Sequence, residues 1–196
     1  MTSPAYADLI RPAHRGTALA FDAALVAGFS LGIALCSQVA ITLPFTPVPV
    51  TLQTFAVLLT GCLLGSRRGA LSVVLYAAEG SVGLPFFSGG TSGIAHLLGP
   101  TGGYLVGFAL CAFVVGMFAE RGLGAKWPGR LFMLLVGNAV IYVPGLLWLG
   151  MFTGMNRAAT LGFIPFITGD ALKIAAGWGL LSAASMATAR VRSRLT

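Results

Sequence analysis

Asp170 and Lys173 stand three residues apart inside FITGDALKIAAGW, an apolar segment that runs from Phe166 to Trp178. That spacing puts an acid and a base on one face of a helix. If the helix enters a membrane near Gly162, Asp170 lies about 12 Å deep and Lys173 about 16 Å deep, at 1.5 Å of rise per residue. Charged groups at such depth cost several kcal/mol unless they are paired or hydrated. Two chemistries fit. One is a site for a polar ligand, facing the interior of a helix bundle. The other is a structural ion pair that locks this helix to a neighbour. Intramembrane ionisable groups favour the first reading. Asn138 and Tyr142, one turn apart, are further polar candidates, as are Gln53, Tyr76 and Glu79. Each of these also fits an ordinary interhelical hydrogen bond, and Glu79 fits the outer interface as well. Asp22 reads as a carboxylate near the start of the first helix, where it would complement the helix dipole.

The elements that must position these groups are membrane helices. The chain has 196 residues, 57% hydrophobic and only 9% charged, with a mean hydropathy of +0.90. Soluble domains are about half apolar and about a quarter charged. The pattern predicts an all-α integral membrane protein with one transmembrane domain over 1–196. Six spans are expected, at about 18–42, 51–66, 69–85, 102–120, 130–152 and 160–189, two of them shorter than the roughly 20 residues that cross a bilayer. The first apolar run exceeds the core of a signal peptide and is read as a retained helix.

Charge placement supports six spans independently of hydropathy. Arg11 and Arg15, Arg67 and Arg68, Arg121, Lys126 and Arg130, and Arg190, Arg192 and Arg194 all fall on one side if the chain crosses six times. These are ten of the twelve Lys and Arg residues. The positive-inside rule then puts both termini in the cytoplasm. The net charge of +7 is therefore topological. No compact basic domain exists that would bind nucleic acid.

The two long connections on the other side carry no charge. PFTPVPVT, Pro44 to Thr51, has three prolines, and the stretch from Gly83 to Gly103 has seven glycines. Irregular apolar backbone at membrane depth is tolerated where it lines a cavity, so these connections read as walls or lids of an outward-facing pocket, or as tight turns between helices. On the first span, Ala20, Ala24, Gly28, Gly32, Cys36 and Ala40 repeat every fourth residue. Such a small-residue ladder serves close packing within the bundle or docking of another membrane protein. Cys36, Cys62 and Cys111 match no metal or redox spacing, and His14 and His96 have no ligand-like neighbours, so no metal site is expected. No phosphate-binding loop is present. Uphill transport would need a partner or an ion gradient.

The motifs FTPVPVTLQTFAVLLTGCLLG, EGSVGLPFF followed by GG, GPTGGYLVGF, GN with IY, and GDALK occur in this order. With them the chain resembles the BioY family, the biotin-binding S components of energy-coupling-factor (ECF) transporters. The resemblance spans about Pro44 to Lys173. It implies an S-component fold with an outward-facing biotin site, no catalytic residues and no catalytic cofactor. It also implies a transmembrane coupling protein and cytoplasmic ATPases as partners, in the plasma membrane of a prokaryote. On this resemblance Asp170, Lys173, Asn138 and Tyr142 contact or neighbour the polar head of the ligand. Thr51, Gln53, Tyr76, Gly90 and Tyr104 lie in the matching pieces, and Phe86 and Phe87 would cover apolar rings. Ala20, Ala24, Gly28 and Gly32 would meet the coupling protein. Alternatives are an S component for another vitamin, a purely structural subunit, and an intramembrane enzyme using Asp170 and Glu79.

Overall fold

The computed structural model describes residues 6–195, with side chains described through 183 and at 185. The Arg190, Arg192 and Arg194 side chains, part of the expected basic cluster, lie outside the described residues. Each expected span has a helix over it. These are α1 (Arg15–Gln38), α2 (Gln53–Leu64), α3 (Ser66–Ser81), α5 (Gly102–Glu120), α6 (Trp127–Thr153) and, for the sixth, α7 (Met155–Gly162) followed by α8 (Ile167–Leu195). A five-residue helix, α4 (Ile94–Leu98), lies in the glycine-rich connection. Among the described residues, four helical stretches are long and apolar enough to cross a membrane: α1, α5, α6 and the run Met155–Ala183. α2 and α3, at 12 and 16 residues, are shorter. At 1.5 Å per residue they reach about 18 and 24 Å.

α5 is the centre of the bundle. Of its most apolar stretch 56% is buried, against 17% for α1. It packs on α2, α3 and α6. Small residues bring the helices close. A Cβ at Gly107 would lie 2.5 Å from the Ile141 carbonyl oxygen and 2.9 Å from its Cα on α6. Gly107→Val is therefore expected to destabilise the protein by about 2 kcal/mol through overpacking; a lowered melting temperature in detergent checks it. Gly65, at φ 83°, both ends α2 and starts α3. A single residue in left-handed conformation thus makes the turn. Arg67 and Arg68 consequently sit in the first turn of α3, and not in a loop between spans as expected.

Three further expectations are corrected. The sixth span is two helices, broken at Phe163–Phe166, where Pro165 cannot donate to a continuing helix. Asp170 therefore lies in the first turn of α8, not two turns inside one long helix. Asp22 is the eighth residue of α1, too far in to serve the helix dipole. It pairs instead with Arg11 at 2.7 Å and Arg68 at 3.1 Å, and Arg68 also pairs with Asp8. Arg130 is buried at the start of α6 and donates to the Gly124 carbonyl, Ser182 and Ser185. It ties α6 to α8 rather than simply marking a surface.

Candidate ligand cavity

Two connections and five helices converge on a cavity. The strands β1 (Ala40–Ile41) and β2 (Val50–Thr51) pair antiparallel, with Ala40 opposite Thr51. This ribbon closes the proline loop into a flap. The Thr46 hydroxyl pins the flap to the Leu161 carbonyl at 2.7 Å. The glycine-rich connection is held from several sides. The Gly93 amide donates to the Gly80 carbonyl at 2.8 Å, and the Trp148 indole donates to the Gly99 carbonyl at 2.9 Å. From the end of α1, Ser37 donates to the Phe86 carbonyl, while the Gln38 amide fans across the carbonyls of Pro85, Phe86 and Phe87 at 3.3 Å each.

Asp170 and Lys173 line the cavity together, 4% and 9% exposed. The Lys173 ammonium donates to Asp170 Oδ1 at 3.1 Å and to Thr54 Oγ1 at 2.8 Å. Asp170 Oδ2 accepts from Asn138 at 3.0 Å and from the Tyr142 hydroxyl. The carboxylate thus has partners on three sides, and the ammonium has used two of its three donors. Hydrogen bonds of this kind offset part of the cost of burying the two groups. Asn138 Oδ1, buried, has no hydrogen-bond partner among the described residues. Orphaned buried acceptors are rare in native proteins, and this one sits on a side chain that holds the acid.

The break before α8 is what delivers this pair. Tyr104 on α5 donates its hydroxyl to the Gly162 carbonyl at 2.8 Å. Tyr142 meets Phe163 edge-on, with ring centroids 4.7 Å apart. The first turn of α8 is thereby fixed against α5 and α6.

Of the residues expected to touch a ligand, Thr51, Gln53 and Tyr76 line the cavity, as do Tyr104 and Tyr142. Thr51 donates to Gln53 Oε1 at 3.1 Å, the Gln53 amide to the Tyr76 hydroxyl at 2.6 Å, and Tyr76 to the Phe86 carbonyl at 3.3 Å. One hydrogen-bonded chain therefore links the flap, α2, α3 and the glycine-rich connection. Asn138 reaches the site only through Asp170. Gly90 does not line the cavity; its φ of 71° serves the turn Ser88–Gly90. Nor do Phe86 and Phe87 line it. Phe87 is fully buried, edge-on to Tyr76 and stacked on His96 at 4.5 Å. Glu79 is also absent from the lining and takes the Ser30 hydroxyl on α1.

Sequence reading missed Thr54, Ser88, His96 and Thr101 as wall residues. Thr54 follows Gln53 directly and faces Lys173 on α8, a pairing that only the tertiary fold reveals. Apolar walls come from Val48, Leu105, Phe108, Ile141 and Phe166. No cluster of metal-ligand type occurs among the described residues.

On the outside of the bundle, Ala20, Ala24 and Gly28 are exposed and Gly32 is half-exposed. A Cβ at Gly28 or Gly32 would meet nothing within 4 Å. At these two positions no neighbouring helix of the bundle approaches closely. Leu31 and Leu35 are exposed on the same helix.

A family model described as the BioY family matches residues 11–190. The probable biotin transporter BioY of Pyrococcus horikoshii is 41% identical over 154 residues, covering 79% of this chain and 90% of that protein. The biotin transporter BioY of Thermotoga maritima is 40% identical over 135 residues, covering 68% of this chain and 79% of that one. Among solved structures, the S-component for biotin from an ECF-type ABC transporter superposes with a TM-score of 0.77 at 26% identity. That match covers 87% of this chain and 93% of the other.

Proposed function

Because this chain belongs to the BioY family, we propose that it is the biotin-binding S component of an ECF-type importer and captures its vitamin in the cavity above Asp170 and Lys173. The observation that carries the reading is a mostly apolar cavity with a buried acid–base pair on one wall. Biotin has a ureido ring with N–H donors and a carbonyl acceptor, fused to an apolar ring and followed by an aliphatic chain with a carboxylate. Asp170 accepts from ureido N–H groups, and the remaining N–H of Lys173 donates to the ureido oxygen. A net-neutral pair suits a neutral polar head better than an anion, since no uncompensated charge is buried. The proline flap and the glycine-rich connection close over the apolar rings. The helices over the six expected spans cross the plasma membrane of a prokaryote, with α2 and α3 as the short members and both termini in the cytoplasm. The exposed ladder Ala20, Ala24, Gly28 and Gly32 meets the transmembrane coupling protein, and cytoplasmic ATPases supply the energy. The chain itself is a binding subunit and performs no catalysis.

Calorimetry on the detergent-purified protein tests the specificity. Biotin is expected to bind tightly, desthiobiotin more weakly because it lacks the sulfur ring, and thiamine not at all. Tight thiamine binding without biotin binding would assign the same fold to another vitamin.

A further inference from the structure

Every charged side chain that lines the cavity belongs to the Asp170–Lys173 pair, and that pair is already balanced. A ligand with a carboxylate brings one more charge, which needs donors when it leaves water. The glycine-rich connection supplies one candidate group. His96 lines the cavity from α4, and Thr101 lines it from the start of α5. Thr91 Oγ1 lies 3.2 Å from His96 Nδ1, and Thr101 Oγ1 lies 3.3 Å from His96 Nε2.

These contacts assign the protons. The Thr91 hydroxyl donates to the Ser88 carbonyl at 3.0 Å. A hydroxyl has one proton, so Thr91 Oγ1 must accept from His96, and the neutral ring carries its hydrogen on Nδ1. Nε2 is then the acceptor, and Thr101 gives it the only proton Thr101 has. In that state neither residue has a donor left for the cavity. One added proton on Nε2 reverses the second bond. The imidazolium then donates to Thr101 Oγ1, and the Thr101 O–H is released to donate into the cavity.

We propose that His96 and Thr101 form the subsite for the carboxylate of the ligand, and that His96 takes up one proton from solvent as the carboxylate binds. This rests on the biotin reading of the cavity. The proton goes to Nε2, no covalent bond forms, and the bound anion is balanced by the imidazolium. Burial lowers the affinity of His96 for protons below the ordinary histidine value, so the empty site is neutral near pH 7. The elements that pack most closely against α4 are α3 and α5. Their titratable groups are Tyr76 and Glu79 on α3, with Arg67 and Arg68 at its far end, and Tyr104, Cys111 and Glu120 on α5. None of them is bonded to the imidazole in the described structure. Asp170, Lys173 and Tyr142 share the cavity with His96.

The sign follows from linkage. The proton affinity of His96 is depressed in the empty protein and raised by the bound anion. Biotin affinity therefore rises as pH falls from the bound-state pKa to the free-state pKa, and is flat above and below that window. Calorimetry at pH 7 in two buffers of different ionisation enthalpy measures the uptake directly. The wild type is expected to take up about one proton with biotin and none with biotin methyl ester. His96→Gln and Thr101→Val are expected to weaken biotin about tenfold or more, the range for hydrogen bonds to a charged group. Both should leave methyl ester affinity within about twofold and the melting temperature near wild type. Tight biotin binding with no proton uptake, and with equal losses for acid and ester, would overturn the subsite while leaving the biotin reading intact. Failure of the folded wild type to bind either compound would overturn both.

Discussion

Asp170→Asn and Lys173→Ala each weaken biotin binding by at least about tenfold, because each removes a hydrogen bond to the polar head of the ligand that is worth about 1.5–3 kcal/mol when one partner is charged. The single variants alone do not separate ligand contact from structure. Asp170→Asn leaves Lys173, 9% exposed, without its counter-charge. Breaking a buried pair in this way costs about 3–5 kcal/mol. The double variant Asp170→Asn with Lys173→Met resolves the question. It removes both charges and conserves volume, and such replacements are often neutral for stability. The expected result is a protein that melts near the wild-type temperature and binds biotin at least about a hundredfold more weakly. A double variant that regains wild-type affinity would make the pair a structural lock and move the site elsewhere.

Leucine at Gly28 or Gly32 is the second large effect, and it falls on a different step. Both positions look outward into open space, so the fold accommodates the added bulk. Binding of biotin in detergent should stay within about twofold of wild type. If the ladder docks the coupling protein as proposed, that association depends on close backbone approach along it. It should fall by at least about tenfold, about 1.4 kcal/mol, and biotin uptake with it. Co-purification with the coupling protein and uptake by cells carrying the complete transporter are the readouts. Unchanged co-purification would return the ladder to lipid contact.

How the structure relates to the sequence differs from element to element. α5 falls on the expected span 102–120 because its apolar run is continuous and bounded by Gly102 and Arg121. The sixth span looks continuous in sequence because hydropathy does not register a break between two apolar helices. Pro165 was the available signal, since proline disfavours helix at the residue before it. The acid and base were legible because charge in an apolar run is rare. Their partners Asn138 and Tyr142 were legible as a one-turn pair, and the structure does place both on Asp170. Thr54, His96 and Thr101 were not. Their roles depend on a flap and a short helix folding over the mouth of the bundle, and no periodicity encodes that. Gly90 and Phe87 belong to motif pieces of the resemblance, yet shape the wall from behind rather than line it. Arg130 shows the converse: a charge counted for topology turned out to be buried and to hold α8.

The central claim is that biotin occupies this cavity with its polar head on Asp170 and Lys173. A structure determined with saturating biotin tests it most directly. The account predicts ligand density enclosed by the proline flap and the glycine-rich connection, with the ureido ring within hydrogen-bond distance of both side chains. A fully occupied biotin bound outside this cavity, or inside it with the Asp170–Lys173 pair untouched, would contradict the account.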